Sequence, residues 1–160
     1  MRILFVVLLV FLLTIPQLPA ETINASGIWV TDGDTFCASL PDKNVVVVRL
    51  AGIDAPELNQ PWGKVARSAL IAMVVKRKIS VTRTGNSYNR IVAKVDRSGT
   101  DIAMVMLKMG LAWVDRKYSI SEEYQNAEAE ARTAKRGLWS EKKPIPPWEW
   151  RKKDNASKKE

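Results

Sequence analysis

The sequence predicts an α+β fold built mainly of β-structure: a small five-stranded barrel carrying three helices. Three observations predict it. Short runs rich in β-branched residues recur between Asp-Gly, Pro-Asp and Asn-containing breaks. The first helical periodicity appears only after three such runs, and two more strand-like runs follow it. Two further helical segments then come, each with its own start or stop signal.

Taken in order, residues 23–31 suit one strand and 34–40 a second, with the Asp-Gly step between them as the turn. Pro41-Asp42-Lys43-Asn44 makes the next turn, and the β-branched run VVVVRL at 45–50 reads as a buried third strand. Residues 52–57, GIDAPE, leave the sheet as a loop, because the residue before proline avoids helical backbone. Over 63–77, Val65, Ala69 and Met73 with Ala66, Leu70 and Val74 give one apolar helical stripe. Strands are expected at 79–83 and 91–96, joined by a polar loop over 84–90. Asp101 caps a short helix bearing Ile102, Val105 and Met109, which Gly110 ends. Ser119 and Glu122 have capping-box spacing for a last helix running to Arg136, with Gly137 as its stop. Five strands with a helix after the third suit a closed barrel of the oligonucleotide-binding (OB) type.

The first twenty residues stand apart from this pattern. One positive charge at Arg2, an apolar run from Ile3 to Leu13 and a proline-broken segment ending at Ala20 have the layout of a secretory signal peptide. The apolar run is too short to cross a bilayer, which needs roughly 20 residues. Cleavage near Ala20, export and no stable membrane association afterwards are the expectation. The folded domain is assigned to 21–140. Residues 141–160, rich in proline, tryptophan and lysine, read as an extended tail, partly disordered.

Composition narrows the chemistry. The 160 residues suit one domain, and the net charge is +8. Removing Arg2 leaves 24 basic against 17 acidic residues, a net of +7 that favours polyanionic partners. There is no histidine, so imidazole serves neither as base nor as ligand. The single cysteine, Cys37, makes no internal disulfide and reads as a small apolar strand residue. A metal ion in such a chain must be a hard cation held by oxygen.

Against that basic background, TDGDTF at 31–36 sets two carboxylates beside one glycine. On a strand Asp32 and Asp34 would share a face, and two such charges call for a cation; Asp54 could complete the set. Each residue also has an ordinary reading: Asp-Gly as a hairpin turn, Arg49 as a solvated strand end, Ala-Pro-Glu as an exposed loop. Their combination is what carries weight. Cleaving a phosphodiester without imidazole needs cationic groups for the phosphate oxygens and a carboxylate to direct water, and the guanidinium fork fits phosphate bidentately.

TDGDT, then VRLAGIDAPE, a helix, YNR and GLAWV, in this order, resemble the thermonuclease (staphylococcal nuclease-like) family over about residues 28–139. The ending GLWSEKKPIPPWEWRK is similar to tails of secreted and plasmid-borne bacterial members. The resemblance implies a five-stranded OB barrel with three helices and a Ca²⁺ ion. Asp34, Asp54 and the backbone carbonyl of Ala55 would hold the ion, with Asp32 just outside them. It further implies Glu57 as the residue that orients or deprotonates water, and Arg49 and Arg90 as the phosphate clamp. Tyr88 would lie against a nucleotide and Tyr118 would reach a terminal phosphate.

The chain departs from the family in places. Asn86-Ser87-Tyr88-Asn89-Arg90 replaces an Asp-x-Tyr-Gly-Arg pattern, and Asn89 is expected to take the left-handed backbone that glycine supplies. Arg116 stands where a pocket tyrosine is usual, and Ala55 where the staphylococcal member has threonine. The implied activity is an exported, Ca²⁺-dependent, sequence-nonspecific endonuclease on DNA and RNA that leaves 3′-phosphates, acting as a monomer. The alternative is a catalytically weakened OB-fold module that binds nucleic acid. A basic envelope protein that binds polysaccharide or lipid explains the charge, but not the acidic and arginine motifs together.

Overall fold

The computed structural model describes residues 21–115 and 121–157. The signal-peptide segment, Arg116, Tyr118 and the Ser119 cap lie outside the described residues.

Five long strands form the barrel: β1 (Thr22–Val30), β2 (Thr35–Ser39), β3 (Val45–Leu50), β5 (Lys78–Ser87) and β6 (Arg90–Arg97). Their order is β3-β2-β1-β5-β6, antiparallel throughout, and a parallel pairing of β3 with β6 closes the sheet on itself. Closure removes the free sheet edges that invite aggregation. Two-residue strands extend this frame: β4 (Ile53–Asp54) pairs with β8 (Trp113–Val114), and β7 (Thr100–Asp101) with β6. The expected barrel is therefore present.

Inside it, Phe36, Val48, Leu50, Val95 and Ala93 from the strands meet Leu70, Val74, Met106 and Leu107 from the helices, all buried. The helix α1 (Gly63–Val74) buries Ala66, Leu70 and Val74, while Val65 faces solvent at 49 % exposure. The stripe of 3.6-residue period is thus one residue narrower than the sequence suggests. The helix α2 (Ile102–Lys108) starts where expected, because the Asp101 carboxylate accepts hydrogen bonds from the Ala103 and Met104 amides. The helix α3 (Glu122–Thr133) stops before Arg136, and Gly137, at φ +52°, opens a separate 3-10 turn over Gly137–Ser140.

Four expectations change. Residues 52–57 are not loop throughout: Ile53–Asp54 form the short strand β4, held by its pairing with Trp113–Val114. The stretch 84–90 is not a loop: β5 runs to Ser87 and pairs Ser87 with Arg90, leaving Tyr88 and Asn89 as a two-residue turn. In that turn Tyr88, not Asn89, takes the left-handed backbone, at φ +55°. Finally, residues 147–157 are not an extended tail but a fourth helix, α4 (Pro147–Ser157). Proline is well suited to a first helical turn, where its missing N–H costs nothing.

Asp101 joins three elements. Besides capping α2 it accepts from the Tyr124 hydroxyl of α3 at 2.7 Å and lies 3.5 Å from the Lys94 ammonium of β6. Burial and the Asp101 bond push the Tyr124 hydroxyl well above its usual pKa. Asp101→Ala removes the cap and strands the phenol, so a loss of about 2–3 kcal/mol is expected. Urea unfolding checks this as a lower midpoint at unchanged slope; a midpoint equal to the parent's would contradict it.

Candidate active site

The site begins at the break between β1 and β2. Asp32, Gly33 and Asp34 form a bend rather than a strand, so strand alternation does not apply to them. Asp32 accepts from the Asp34 amide at 3.1 Å, the short-range bond of an Asx turn. Asp34 instead turns inward and is 3 % exposed. The two aspartates therefore do different work: one shapes the turn, and the other belongs to the buried site.

Asp34 is fully engaged. One carboxylate oxygen accepts from the Thr35 hydroxyl at 2.7 Å and from Arg49 Nη1 at 2.6 Å, and the other accepts from the Ala55 amide at 3.0 Å. Arg49 reaches it because β2 and β3 pair with Thr35 opposite Arg49. The same guanidinium reaches Asp54 Oδ1 with Nη2 at 3.1 Å and the Ile53 carbonyl at 3.3 Å. One arginine thus joins two buried carboxylates from segments twenty residues apart. Burial opposes its charge, but Asp34 and then Asp54 outweigh burial and raise its pKa further.

Gly33 is what lets the loop carrying Asp54 come this close. A Cβ there would lie 2.7 Å from the Cβ atoms of both Ala55 and Ala66, closer than carbon atoms approach without something moving. The glycine is needed for space, which explains why it sits between the two aspartates.

Glu57 follows on the same loop. Its amide donates to Gln60 Oε1 and its carbonyl accepts from the Gln60 amide, which together close a tight turn. Gly63 starts α1 directly against this turn, where a Cβ would lie 1.9 Å from the Glu57 carbonyl oxygen. Gln60 is buried, and its Nε2 donates to the Ile145 carbonyl at 2.6 Å, so the chain after α3 is tied to the Glu57 turn.

Sequence reasoning missed one member of the cluster. Arg151, on α4, donates from Nη2 to Asp54 Oδ2 at 2.7 Å and from Nη1 to Glu57 Oε1 at 2.7 Å and Asp54 Oδ1 at 3.2 Å. These bonds hold its guanidinium pKa above the usual arginine range. The proline-rich approach to α4 masks the signal; Pro147 opening the charged run WEWRKKD is the helix-start cue that finds it.

The structure therefore brings Asp32, Asp34, Arg49, Asp54, Ala55 and Glu57 into one connected set. Arg90 is the first residue of β6, next to Ile91, which pairs in parallel with Val48 beside Arg49; its Nη2 donates to Ser87 Oγ at 3.4 Å. Tyr88 stands on the hairpin turn and is 96 % exposed, open to solvent rather than packed against the carboxylates. Among the described residues no group of three or more His, Cys, Asp or Glu side chains is drawn together tightly enough to hold a metal ion by itself. Two buried carboxylates spanned by one cationic group still offer the oxygen ligands that a hard cation takes, while Ala55 presents its amide N–H to Asp34.

Burial first, and the Asp34 charge second, raise the Asp32 pKa from 3.8 to about 7. A raised acid favours folding while it is protonated. Its contribution is whole below about pH 3.8 and is lost as pH rises through about 7. With a chelator present, the wild type is expected to lose more stability between pH 5 and pH 8 than Asp32→Asn. Parallel denaturation curves for the two would contradict it. A second expectation concerns spacing. Gly33→Ala pushes the Asp54 loop away from Asp34, so any nuclease activity falls by about a hundredfold, as misplacement of about 1 Å does at other sites. Full activity in that variant would show that the close approach is dispensable.

Comparison with known proteins places this arrangement. Residues 47–141 match the family model described as staphylococcal nuclease homologue. A protein of Escherichia coli described as an uncharacterized endonuclease is 34 % identical over 92 % of this chain and 96 % of its own. One of Haemophilus influenzae with the same description is 30 % identical over 98 % of this chain and 88 % of its own. A staphylococcal-like nuclease of Arabidopsis thaliana is 42 % identical over 66 % of this chain, a third of its own length.

Proposed function

The chain belongs to the staphylococcal nuclease family, and on that premise we propose that it is an exported, Ca²⁺-dependent endonuclease. It hydrolyses DNA and RNA without sequence preference, leaves 3′-phosphate ends and acts as a monomer. The observation that carries this reading is the joining of Asp34, Asp54 and Glu57 through the guanidinium groups of Arg49 and Arg151.

Asp34, Asp54 and the Ala55 carbonyl are the residues that would hold the cation. Bound there, it would offset charge building on the phosphate being attacked. Arg49 serves the phosphate as well as the carboxylates. Its bonds to Asp34, Ile53 and Asp54 use at most three of its five N–H groups, so at least two remain for a phosphate oxygen. Arg90 supplies the second guanidinium from the adjacent strand. Glu57, with its side chain one-third exposed and its backbone pinned by Gln60, orients or deprotonates the water that attacks phosphorus. The bond to the 5′-oxygen breaks, and that oxygen leaves with a proton. Contacts of this kind read phosphate rather than base edges, which is why no sequence preference is expected. Tyr88 would stack on a nucleotide, a role its open ring leaves free.

The test is digestion of DNA and RNA by residues 21–160 with Ca²⁺, Mg²⁺ or chelator. Glu57→Gln and Arg90→Ala are each expected to lower the Ca²⁺-dependent rate by about 10²–10³-fold, the usual loss for one group that stabilises a transition state. Binding without cleavage in every metal would leave the weakened binding module as the function. Mass spectrometry of exported protein should find an N-terminus near Glu21; retained residues 1–20 would contradict cleavage.

A further inference from the structure

Asp54 and Glu57 are held by a residue that comes from the other end of the chain. The Arg151 guanidinium covers both Asp54 oxygens and one Glu57 oxygen, while Arg49 shares Asp54 Oδ1. A divalent cation bound through Asp54 would lie within a few ångströms of the Arg151 charge. At that distance two positive charges repel strongly, because the carboxylate between them is buried and poorly screened.

The helix that delivers Arg151 buries little of its own surface. Pro147 is the only residue of α4 that is buried. Polar contacts join it to the site: Trp150 Nε1 donates to Asn59 Oδ1 at 3.1 Å, and Arg151 pairs with the carboxylates. The segment before it is fixed more firmly, through Gln60 to Ile145 and Trp62 Nε1 to Glu141. An open groove of about 830 Å³, lined by Glu57, Asn59, Trp62, Lys64 and Asp154, opens beside Glu57, the carboxylate that Arg151 holds.

We propose that Arg151 is an intramolecular competitor of the divalent cation: α4 seats its guanidinium on Asp54 and Glu57, and cation binding requires that guanidinium to leave. The inference rests on the Ca²⁺-dependent reading above and assigns to the C-terminal helix the setting of cation affinity. Until the cation arrives, Arg151 keeps a buried carboxylate neutralised and Glu57 aligned. The competition raises the Ca²⁺ concentration at which the site fills.

Calorimetric titration of Ca²⁺ into residues 21–160 tests this, with the parent, Arg151→Ala and Arg151→Lys at one ionic strength. Arg151→Ala is expected to bind Ca²⁺ about three- to tenfold more tightly, the worth of a partly exposed charge-assisted pair. Arg151→Lys, which keeps the charge but loses the fork, should fall between the two. Equal affinity in the parent and Arg151→Ala overturns the proposal, and so does weaker binding in Arg151→Ala, which would make Arg151 a support for the carboxylates. A nucleic-acid digest on the same samples separates the two readings. If the parent cuts with Ca²⁺ while Arg151→Ala leaves affinity unmoved, the competition alone fails. If none of the three proteins binds Ca²⁺, the cation-dependent nuclease reading fails with it.

Discussion

Arg49 holds two buried carboxylates at once, and the geometry of the site depends on that sharing. Asp34 comes from the break between the first two strands and Asp54 from the short strand β4 beyond the third, so nothing in the local chain keeps them adjacent. Without a counter-charge they would repel one another in a poorly screened interior. Removing one partner of such a buried set costs on the order of 3–5 kcal/mol, because the remaining charge is left unpaired. The barrel register supplies the arginine: pairing of Thr35 with Arg49 fixes where β3 ends. The glycine between the aspartates supplies the room.

The same economy of placement extends to the rear of the site. Gln60 is bonded on one side to the Glu57 turn and on the other to Ile145, so it ties the carboxylate segment to the C-terminal segment. That segment is in turn anchored by a second apolar cluster. Trp113 and Trp139 meet edge to face at 5.1 Å, and the Arg132 guanidinium lies 3.9 Å over the Trp139 ring. Glu128, buried beneath, accepts from the Val114 amide and from Arg132, which holds the short strand β8 against β4 and hence against Asp54. The site is therefore supported by the barrel in front and by tryptophan packing behind.

Much of this was legible in the sequence, and the reasons are specific. The run VVVVRL announces β3 to the residue, because its β-branched side chains favour extended backbone and Arg49 ends the run. Asp101 announces α2 as a cap. The motif pieces TDGDT and AGIDAPE contain the carboxylates that Arg49 joins, although Asp32 and Asp34 lie on a bend to which strand alternation does not apply. What the sequence hid depends on contacts distant along the chain. The role of Gly33 is visible only when Ala55 and Ala66 close on it. The hairpin's left-handed residue fell on Tyr88 because strand pairing, rather than local preference, chose where the turn sits. Arg151 was hidden because prolines, tryptophans and lysines read as a tail, whereas Pro147 starts a helix that returns to the site.

On the proposed reading, Asp34, Asp54 and the Ala55 carbonyl would hold one cation, and the Arg151 guanidinium stands on Asp54 in its place. A crystal structure grown in Ca²⁺, with the ion located by its anomalous scattering, tests it most directly. The expected result is an ion ligated by Asp34, Asp54 and the Ala55 carbonyl oxygen at about 2.3–2.6 Å, with Arg151 withdrawn from Asp54. An ion bound elsewhere, or one bound to Asp54 with Arg151 still in place, would contradict it.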